Sequence, residues 1–358
     1  MKRGLDRMES ILSLVKGKRV GLVANAASVD RFGRTSLGFF QKETELTAVF
    51  GLEHGITITF AAGEKVDGEQ AGNLKVFSLY GGDGSGISKE ARELIDVLVF
   101  DIQDLGLRFY TYVSSLRLIL RSAADMNLPV IILDRPNPLG RSVYGPILDE
   151  RDISFVGADS LPVRYGLTIG ELALFFNASI GADVRVVPLE NWSGGLWQGK
   201  WVPTSPNIPT FETAFVYSGM CFLEGTNLSE GRGTDAPFLT FGAPFMTKDI
   251  PLSFEGFELE RTTFVPKCSK YQGQLCHGYR IRVLNYGANP VEFGLMLLNR
   301  LFCEYDELCY PEGKTASITH LLGSREAELL KNDLPALLEK CDRDALNFRT
   351  LMSRYILY

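Results

Sequence analysis

The sequence predicts an α/β protein in which a Rossmann-like, doubly wound, mainly parallel sheet is followed by a smaller α+β domain. Short apolar, β-branched runs recur through the first 190 residues, and helical patterns separate several of them. Strands that are apolar on both faces and alternate with helices are typical of a parallel sheet covered on both sides. At 358 residues the chain also exceeds what one hydrophobic core usually serves, which favours two domains.

The individual elements follow from these patterns. The predicted strands are 19–25, 46–51, 75–80, 96–103, 129–134 and 183–190, and the predicted helices are 88–95, 111–127 and 168–180. The segment WVPTSPNIPT is rich in proline and polar residues, so we place the domain junction there, between a first domain of 1–200 and a second of 201–358. The strand patterns FELERTTFV and GYRIRVLN and two long helical patterns then predict a smaller α+β second domain.

Composition and charge exclude several classes of protein. The formal net charge of −6 argues against nucleic acid as a partner, and no apolar run approaches the roughly 18 residues of a membrane span. The N-terminal apolar patch ILSLV is too short for the core of a signal peptide, and the six cysteines have no disulfide or metal spacing. We therefore expect reduced thiols and a cytoplasmic protein, the alternative being an exported one whose leader is absent from this sequence. The oligomeric state is not set by the sequence.

Polar residues collect after the predicted strands, most densely in LVFDIQDLGLRFYTY (98–112). In doubly wound sheets, ligands bind in the crevice beyond the carboxyl ends of the strands. The candidates that this rule selects are Asn25, Glu53, His54, Asp101, Gln103, Asp104, Asp134 and Asn137, with Arg108 and Tyr110 close behind. We interpret them as one wall of a ligand site.

A second polar segment, LEGTNLSEGRGTDAPF (223–238), also has the composition of a binding site and not only that of a solvated loop. It holds Glu224, Asn227, Glu230 and Arg232 among three glycines, which allow close approach of the backbone. Glu171 is set apart from these candidates, because Thr168 and Glu171 match a capping box before an apolar helix.

The sequence carries no signature of a cofactor or a metal. GGDGSGI (81–87) does not fit the dinucleotide fingerprint, and there is no P-loop, no HExxH, no paired cysteines and no GxSxG elbow. The candidates are instead carboxylates supported by amides, arginines and aromatic rings. That inventory suits carbohydrate chemistry, since glycosidic cleavage usually uses carboxyl groups as acid, base or nucleophile.

Eight motifs in this order resemble the NamZ/YbbC family of bacterial exo-β-N-acetylmuramidases. They are EHG (53–55), SLYGG (78–82), FDIQDLGLRFYTY (100–112), LDRPNPLG (133–140), SFVG (154–157), LTIGELA (167–173), SPNIPT (205–210) and EGTNLSEGRGT (224–234). The resemblance implies a glycoside hydrolase, without metal or nucleotide, that removes N-acetylmuramic acid (MurNAc) from the non-reducing end of peptidoglycan fragments. It also implies a substrate cleft between the two domains.

The resemblance further implies roles for the candidate residues. Glu53 is the expected catalytic acid with His54 beside it, and Glu224 or Glu230 supplies a second carboxylate. Arg108 or Arg232 is expected to hold the lactyl carboxylate of muramic acid through paired hydrogen bonds. The remaining expected sugar contacts are Asn25, Asp101, Gln103, Asp104, Tyr110, Asp134, Asn137, Asn207 and Asn227. We expect Asp101→Asn and Arg108→Ala to reduce turnover and to leave the melting temperature nearly intact.

The sequence departs from the family pattern at some positions, and two other classes of function remain as alternatives. GLEHGITI lacks the proline usual before EHG, and Tyr165 stands where histidine is usual. A non-catalytic amino-sugar-binding protein would bind muropeptide sugars without releasing product. A nicotinamide-dependent oxidoreductase is disfavoured by the missing fingerprint. Retaining, inverting and substrate-assisted mechanisms all fit the sequence.

Overall fold

The computed structural model describes residues 1–52, 58–59, 65–66, 74–79, 86–311 and 318–358. Its strands are β1 (Arg19–Ala24), β2 (Glu45–Gly51), β3 (Ile58–Thr59), β4 (Lys65–Val66), β5 (Lys75–Ser78), β6 (Val97–Asp101), β7 (Val130–Leu133), β8 (Tyr144–Ile147), β9 (Pro162–Arg164), β10 (Val184–Val187), β11 (Thr240–Ala243), β12 (Phe257–Phe264) and β13 (Cys276–Val283). Its helices are α1 (Met8–Val15), α2 (Ser36–Glu43), α3 (Lys89–Leu94), α4 (Tyr112–Asp125), α5 (Ile169–Ile180), α6 (Phe211–Met220), α7 (Pro290–Glu304), α8 (Ile318–Leu321), α9 (Ser324–Asn332) and α10 (Leu334–Met352).

A six-stranded sheet in the order β10-β7-β6-β1-β2-β5 forms the first half of the molecule. All neighbouring strands in it are parallel. β6 is buried along its whole length and β1 at every residue but the first, as expected for strands covered by helices on both faces. The predicted fold class is confirmed, and the strands predicted in the first half are the six strands of this sheet.

The helix that follows β9 begins where the sequence predicts. The Thr168 hydroxyl accepts a hydrogen bond from the N–H of Glu171, and the Glu171 carboxylate accepts one from the N–H of Thr168. This capping box satisfies two of the N–H groups that the first turn leaves unpaired. The helix ends at Gly181, whose φ of 78° is the left-handed conformation that favours glycine. The prediction of a structural role for Glu171 is thus confirmed.

The second half is built on a three-stranded antiparallel sheet in the order β11-β13-β12, with α6 and α7 packed against each other. α7 begins at Pro290, and the side chain of the preceding Asn289 caps the helix. The C-terminal helix α10 returns to the first half and packs on β8. One cluster of buried apolar side chains runs through both halves, from Val23 to Met352. The junction predicted at 200/201 lies between β10 and α6, and the domain boundary stays a prediction.

The cysteines are all free: Cys221, Cys276 and Cys341 are buried, whereas Cys268, Cys303 and Cys309 are exposed. Among the helices that the structure describes, none is long and apolar enough to cross a bilayer.

Candidate functional site

The strand order of the sheet determines where a ligand is expected to bind. Numbered along the chain, the six strands follow the order 3-2-1-4-5-6, which reverses between β1 and β6. Ligands of doubly wound folds bind at this switch point, beyond the carboxyl ends of the strands. Asn25 follows β1, and its side-chain oxygen accepts hydrogen bonds from the N–H of Ala27 and the hydroxyl of Ser28. A small cavity of about 20 Å³ lies here, lined by Ala27 from one side and Gln103 from the other.

Asp101, at the end of β6, forms a buried ion pair instead of facing the cleft. Its two carboxylate oxygens lie 2.6 Å and 2.8 Å from Nε and Nη2 of Arg135, and both side chains are fully buried. Arg135 also donates to the carbonyls of Ala27 and Val29. The pair therefore ties the loops after β1, β6 and β7 together, and a sugar contact of Asp101 finds no support in this geometry.

Asp104 is buried in the turn that follows β6. Its Oδ2 accepts hydrogen bonds from the Tyr165 hydroxyl and, at 2.6 Å, from the N–H of Gly106. Burial raises the pKa of Asp104 to about 6, against the lowering effect of these hydrogen bonds. Gly106 has a φ of 77°, and a Cβ there would meet the side chain of Asn137, so only glycine fits this turn. Asp104 thus shapes the wall of the site from inside.

Arg108 has a structural position, which corrects its expected role. It is completely buried, and its guanidinium donates to four main-chain carbonyls, those of Pro146, Leu161, Leu321 and Leu322, at 2.5–3.0 Å. A carboxylate of a substrate cannot reach a guanidinium enclosed in this way. We assign Arg108 to the contact between the two halves of the chain.

Asp134 and Asn137 belong to the loop after β7 and differ in role. Asp134 stabilises the fold, whereas Asn137 lines a cavity. Asp134 is buried and accepts hydrogen bonds from the N–H of Gly170 and the hydroxyls of Thr168 and Tyr358. Burial raises its pKa to about 6. Asn137 donates to the carbonyl of Leu167, yet it also lines a cavity of about 620 Å³. Asp134 therefore fixes the start of α5, and Asn137 keeps a place in the site wall.

Aromatic rings join the loop after β6 to the second half of the molecule. The ring of Tyr110 packs edge-on against Tyr112 and Tyr217, with centroids 4.8 Å and 6.4 Å apart. Phe109 packs against Tyr217 and Phe222 in the same manner. These contacts place the polar run 98–112 beside the end of α6, where the second candidate segment begins.

Two carboxylates and an arginine of that segment form a charged cluster with Lys270, which comes from outside the segment. Nε of Arg232 donates to Oε1 of Glu224 at 2.7 Å and lies 3.4 Å from Oε1 of Glu230. Nζ of Lys270 lies 3.0 Å from Oε2 of Glu230 and also donates to the carbonyls of Leu223 and Leu228. Burial raises the pKa of Glu224, and the neighbouring Arg232 opposes that shift. The structure brings together the three charged residues that the sequence selected here.

The side chains of Glu224 and Glu230 differ in access. That of Glu230 is only 3% exposed and sits between both cations, whereas that of Glu224 is 18% exposed. Glu230 is therefore enclosed between the two cations, whereas the Glu224 carboxylate is partly accessible.

The remaining candidates lie apart from this cluster or outside the described residues. The Asn227 side chain donates to the carbonyl of Glu307 and accepts from the N–H of Cys309, so it anchors its loop. Asn207 is half-buried ahead of α6, near Trp201, which donates to the carbonyl of Ile208. Glu53 and His54 lie outside the residues that the structure describes.

Comparison with known proteins identifies the family. The N-terminal model of "Exo-beta-N-acetylmuramidase NamZ" matches residues 20–212, and the C-terminal model of the same description matches residues 215–358. The chain belongs to the NamZ family. A relative in Bacillus subtilis, the peptidoglycan β-N-acetylmuramidase NamZ, is 38% identical over 311 residues, which cover 82% of this chain and 75% of the relative.

Two solved structures of DUF1343 family proteins from Bacteroides fragilis have the same fold as this NamZ-family chain. One is 27% identical with a TM-score of 0.86, and the other is 28% identical with a TM-score of 0.79. Each alignment covers 100% of this chain and 98% of the other. The overall fold is therefore common to the three chains.

Sequence reasoning on this NamZ-family chain missed four residues that line or order the site. Arg3 and Trp197 line both cavities described above, Tyr217 joins the two halves, and Lys270 neutralises Glu230. Of these residues, only Trp197 could have been selected from the sequence, because all three tryptophans of the chain fall within residues 192–201. In the described part of the chain, no three His, Cys, Asp or Glu side chains cluster as metal ligands.

Proposed function

We infer that this chain is an exo-β-N-acetylmuramidase, a glycoside hydrolase that releases MurNAc from the non-reducing end of peptidoglycan fragments. The observation that carries this function is the match of both NamZ models, which together span almost all of residues 20–358, with a named peptidoglycan β-N-acetylmuramidase at 38% identity. The substrate is thus a saccharide such as MurNAc-β-1,4-GlcNAc.

The chemistry requires a carboxyl group that is protonated when the glycosidic oxygen leaves. Such a group needs a raised pKa, which burial supplies. Glu53 is the candidate from the sequence motif. Among the described residues, Glu224 combines a pKa raised by burial with partial access, and it lies beside the aromatic contact between the two halves. Glu224 is therefore our proposed second catalytic carboxyl, with Arg232 holding it in place.

A hydrolysis assay with matched variants tests this assignment. We expect wild-type enzyme to release MurNAc from MurNAc-β-1,4-GlcNAc, and Glu53→Gln and Glu224→Gln each to lower kcat by about 10²-fold or more, since general acid–base catalysis contributes that much. Glu258→Gln, which changes an exposed ion pair with Arg282, is the matched control and keeps the wild-type rate.

The possible outcomes separate the assignments. Full activity in Glu224→Gln with loss in Glu53→Gln would leave Glu224 a structural partner of Arg232. Binding of the disaccharide by the wild type without release of MurNAc would mean that the chain binds sugars and does not cleave them.

A further inference from the structure

The larger cavity carries an excess of positive charge on a protein whose net charge is −6. Its cationic lining residues are Arg3, Arg31 and Lys200, and its one described acidic lining residue is Asp30. The Asp30 carboxylate is already committed, because it accepts hydrogen bonds from Nε and the backbone N–H of Arg34. Among the described residues, none of the ion pairs of 4.0 Å or less includes Arg3, Arg31 or Lys200.

Arg3 is the most constrained of these cations. Its Nη1 donates to the carbonyls of Val29 and Asp30, and the guanidinium lies over the ring of Trp197 at 5.3 Å. Burial and the charge of nearby Arg135 lower the pKa of Arg3 to about 10, and the charges of Asp6, Asp101 and Asp30 act in the opposite direction. Arg31 and Lys200 are exposed at the outer rim.

The cavity is also lined by aromatic rings on an anchored loop. Trp192 and Trp197 face it, and the smaller cavity, which shares Arg3 and Trp197 with it, adds Trp201. The backbone N–H of Trp197 donates to the carbonyl of Pro138 at 2.8 Å, and that of Arg141 donates to the carbonyl of Gly194 at 3.0 Å. The rings are therefore held in place before a ligand arrives. Flat apolar rings beside polar groups suit a sugar face.

The two cavities adjoin each other, since Arg3 and Trp197 line both. The smaller one is also lined by Gln103, two residues after β6, and the larger one by the exposed Arg31 and Lys200. An enzyme that removes terminal sugars holds the sugar to be released near its catalytic groups, and the rest of the chain extends toward solvent. A volume of about 620 Å³ is within the usual range of about 300–1,000 Å³ for ligand sites.

We propose that this tryptophan cavity, defined by Arg3, Arg31, Trp192, Trp197 and Lys200, binds the carboxylate on the lactyl arm of a second muramyl unit, on the leaving-group side of the scissile bond. In a bare glycan the anion is the lactyl carboxylate itself, and in a muropeptide it is a carboxylate of the attached peptide. The proposal rests on the proposed function, and it makes the enzyme selective for longer, charged peptidoglycan fragments.

A binding experiment tests whether the tryptophan cavity recognises a carboxylate, and it does not require turnover. The tryptophans all line these two cavities, so intrinsic fluorescence reports occupancy directly. The probes are GlcNAc-β-1,4-MurNAc, which presents no terminal MurNAc for release, and chitobiose, which lacks only the lactyl group. We expect the charged disaccharide to bind about tenfold more tightly, as a charge-assisted contact provides. The double variant Arg31→Gln/Lys200→Gln should lose that preference, and Arg185→Gln, an exposed arginine on β10, should keep it.

Kinetics place the site relative to the scissile bond. We expect wild-type kcat/KM to be higher for the tetrasaccharide MurNAc-GlcNAc-MurNAc-GlcNAc than for MurNAc-GlcNAc, and the double variant to lose that ratio. Equal losses on both substrates would overturn the proposal, because the carboxylate bound would then belong to the terminal sugar.

Equal affinity of chitobiose and of both charged probes, GlcNAc-MurNAc and a GlcNAc-MurNAc-dipeptide, for wild type and variant alike, would also overturn it. A GlcNAc-MurNAc-dipeptide probe distinguishes the sources: if the double variant weakens only its binding, the anion is the peptide carboxylate. Intact binding preference together with no release of MurNAc from either substrate would instead contradict the proposed function and leave the carboxylate site standing.

Discussion

At the scale of single residues, burial determines the protonation of polar side chains, and Asp104 is the clearest example. Its carboxylate is enclosed in the turn after β6, where one oxygen accepts two hydrogen bonds and the other has no partner among the described residues. A buried charge that is only partly hydrogen-bonded costs free energy, so the carboxyl retains its proton to a higher pH. Its neighbour along the sheet edge, Asp101, is fully buried but faces an arginine.

The raised pKa of Asp104 predicts a dependence of stability on pH. The folded-state pKa is about 6 and the ordinary value is 3.8, so between those pH values the folded state binds more protons than the unfolded chain. The stability that this group contributes is therefore present below pH 4 and is lost as the pH rises through 6, by up to about 3 kcal/mol. Relative to wild type, Asp104→Asn should gain stability between pH 4 and pH 7.

Urea unfolding at the two pH values measures that difference. Asp183→Asn, an exposed aspartate, is the control and should follow wild type at both. A constant difference between Asp104→Asn and wild type would mean that folding does not raise the pKa of the Asp104 carboxyl.

At the scale of elements, helix starts hold the loops of the site. The capping box of α5 also makes a contact outside its own helix, because the Thr168 hydroxyl donates a hydrogen bond to the buried Asp134 at 2.8 Å. The Glu171 carboxylate accepts a further hydrogen bond from Arg141, which continues into the loop that carries the tryptophans. The start of α5 thus connects the end of β7 with one side of the tryptophan cavity.

This connection predicts unequal effects of two cap substitutions. Thr168→Ala should lower the free energy of unfolding by about 2 kcal/mol or more, because it removes a cap and leaves a buried carboxylate with one donor fewer. Thr35→Ala, which removes only the cap of α2, should cost about 1 kcal/mol. Urea unfolding of both variants checks this, and equal losses would show that the contact with Asp134 contributes nothing.

At the scale of the whole molecule, buried contacts join the two halves. Arg108 from the first half donates to the carbonyls of Leu321 and Leu322 in the second, and the apolar core is continuous between them. Because each half buries its apolar surface partly against the other, we expect the chain to unfold as one unit.

Substitution of Arg108 tests whether the two halves unfold together. Arg108→Ala removes the guanidinium that donates to four main-chain carbonyls, of which that of Leu161 keeps the N–H of Leu148, so we expect the free energy of unfolding to fall by about 3 kcal/mol or more. Far-UV circular dichroism and tryptophan fluorescence should report coincident transitions in wild type and variant. Separate transitions would mean that the halves unfold independently, and an unchanged midpoint would restore the expectation that Arg108 is a substrate contact.

The sequence by itself determined the elements and their order. Alternating apolar runs and helical patterns predicted the six strands of the sheet, and local chemistry predicted the capping box of α5, because both depend on residues near one another in the chain. A dense run of polar residues also identified Glu224, Glu230 and Arg232 as candidates, since they lie within nine residues.

Only the tertiary structure decided which polar side chains face a ligand. Asp101, Asp104 and Arg108 follow a strand as a ligand-binding residue would, yet their partners, Arg135, Tyr165 and the carbonyls near Leu321, come from distant segments. Arg3 and Trp197 likewise meet only in the folded chain. A strand pattern fixes the edge at which a side chain emerges, but whether that side chain is enclosed or exposed depends on segments that folding brings against it.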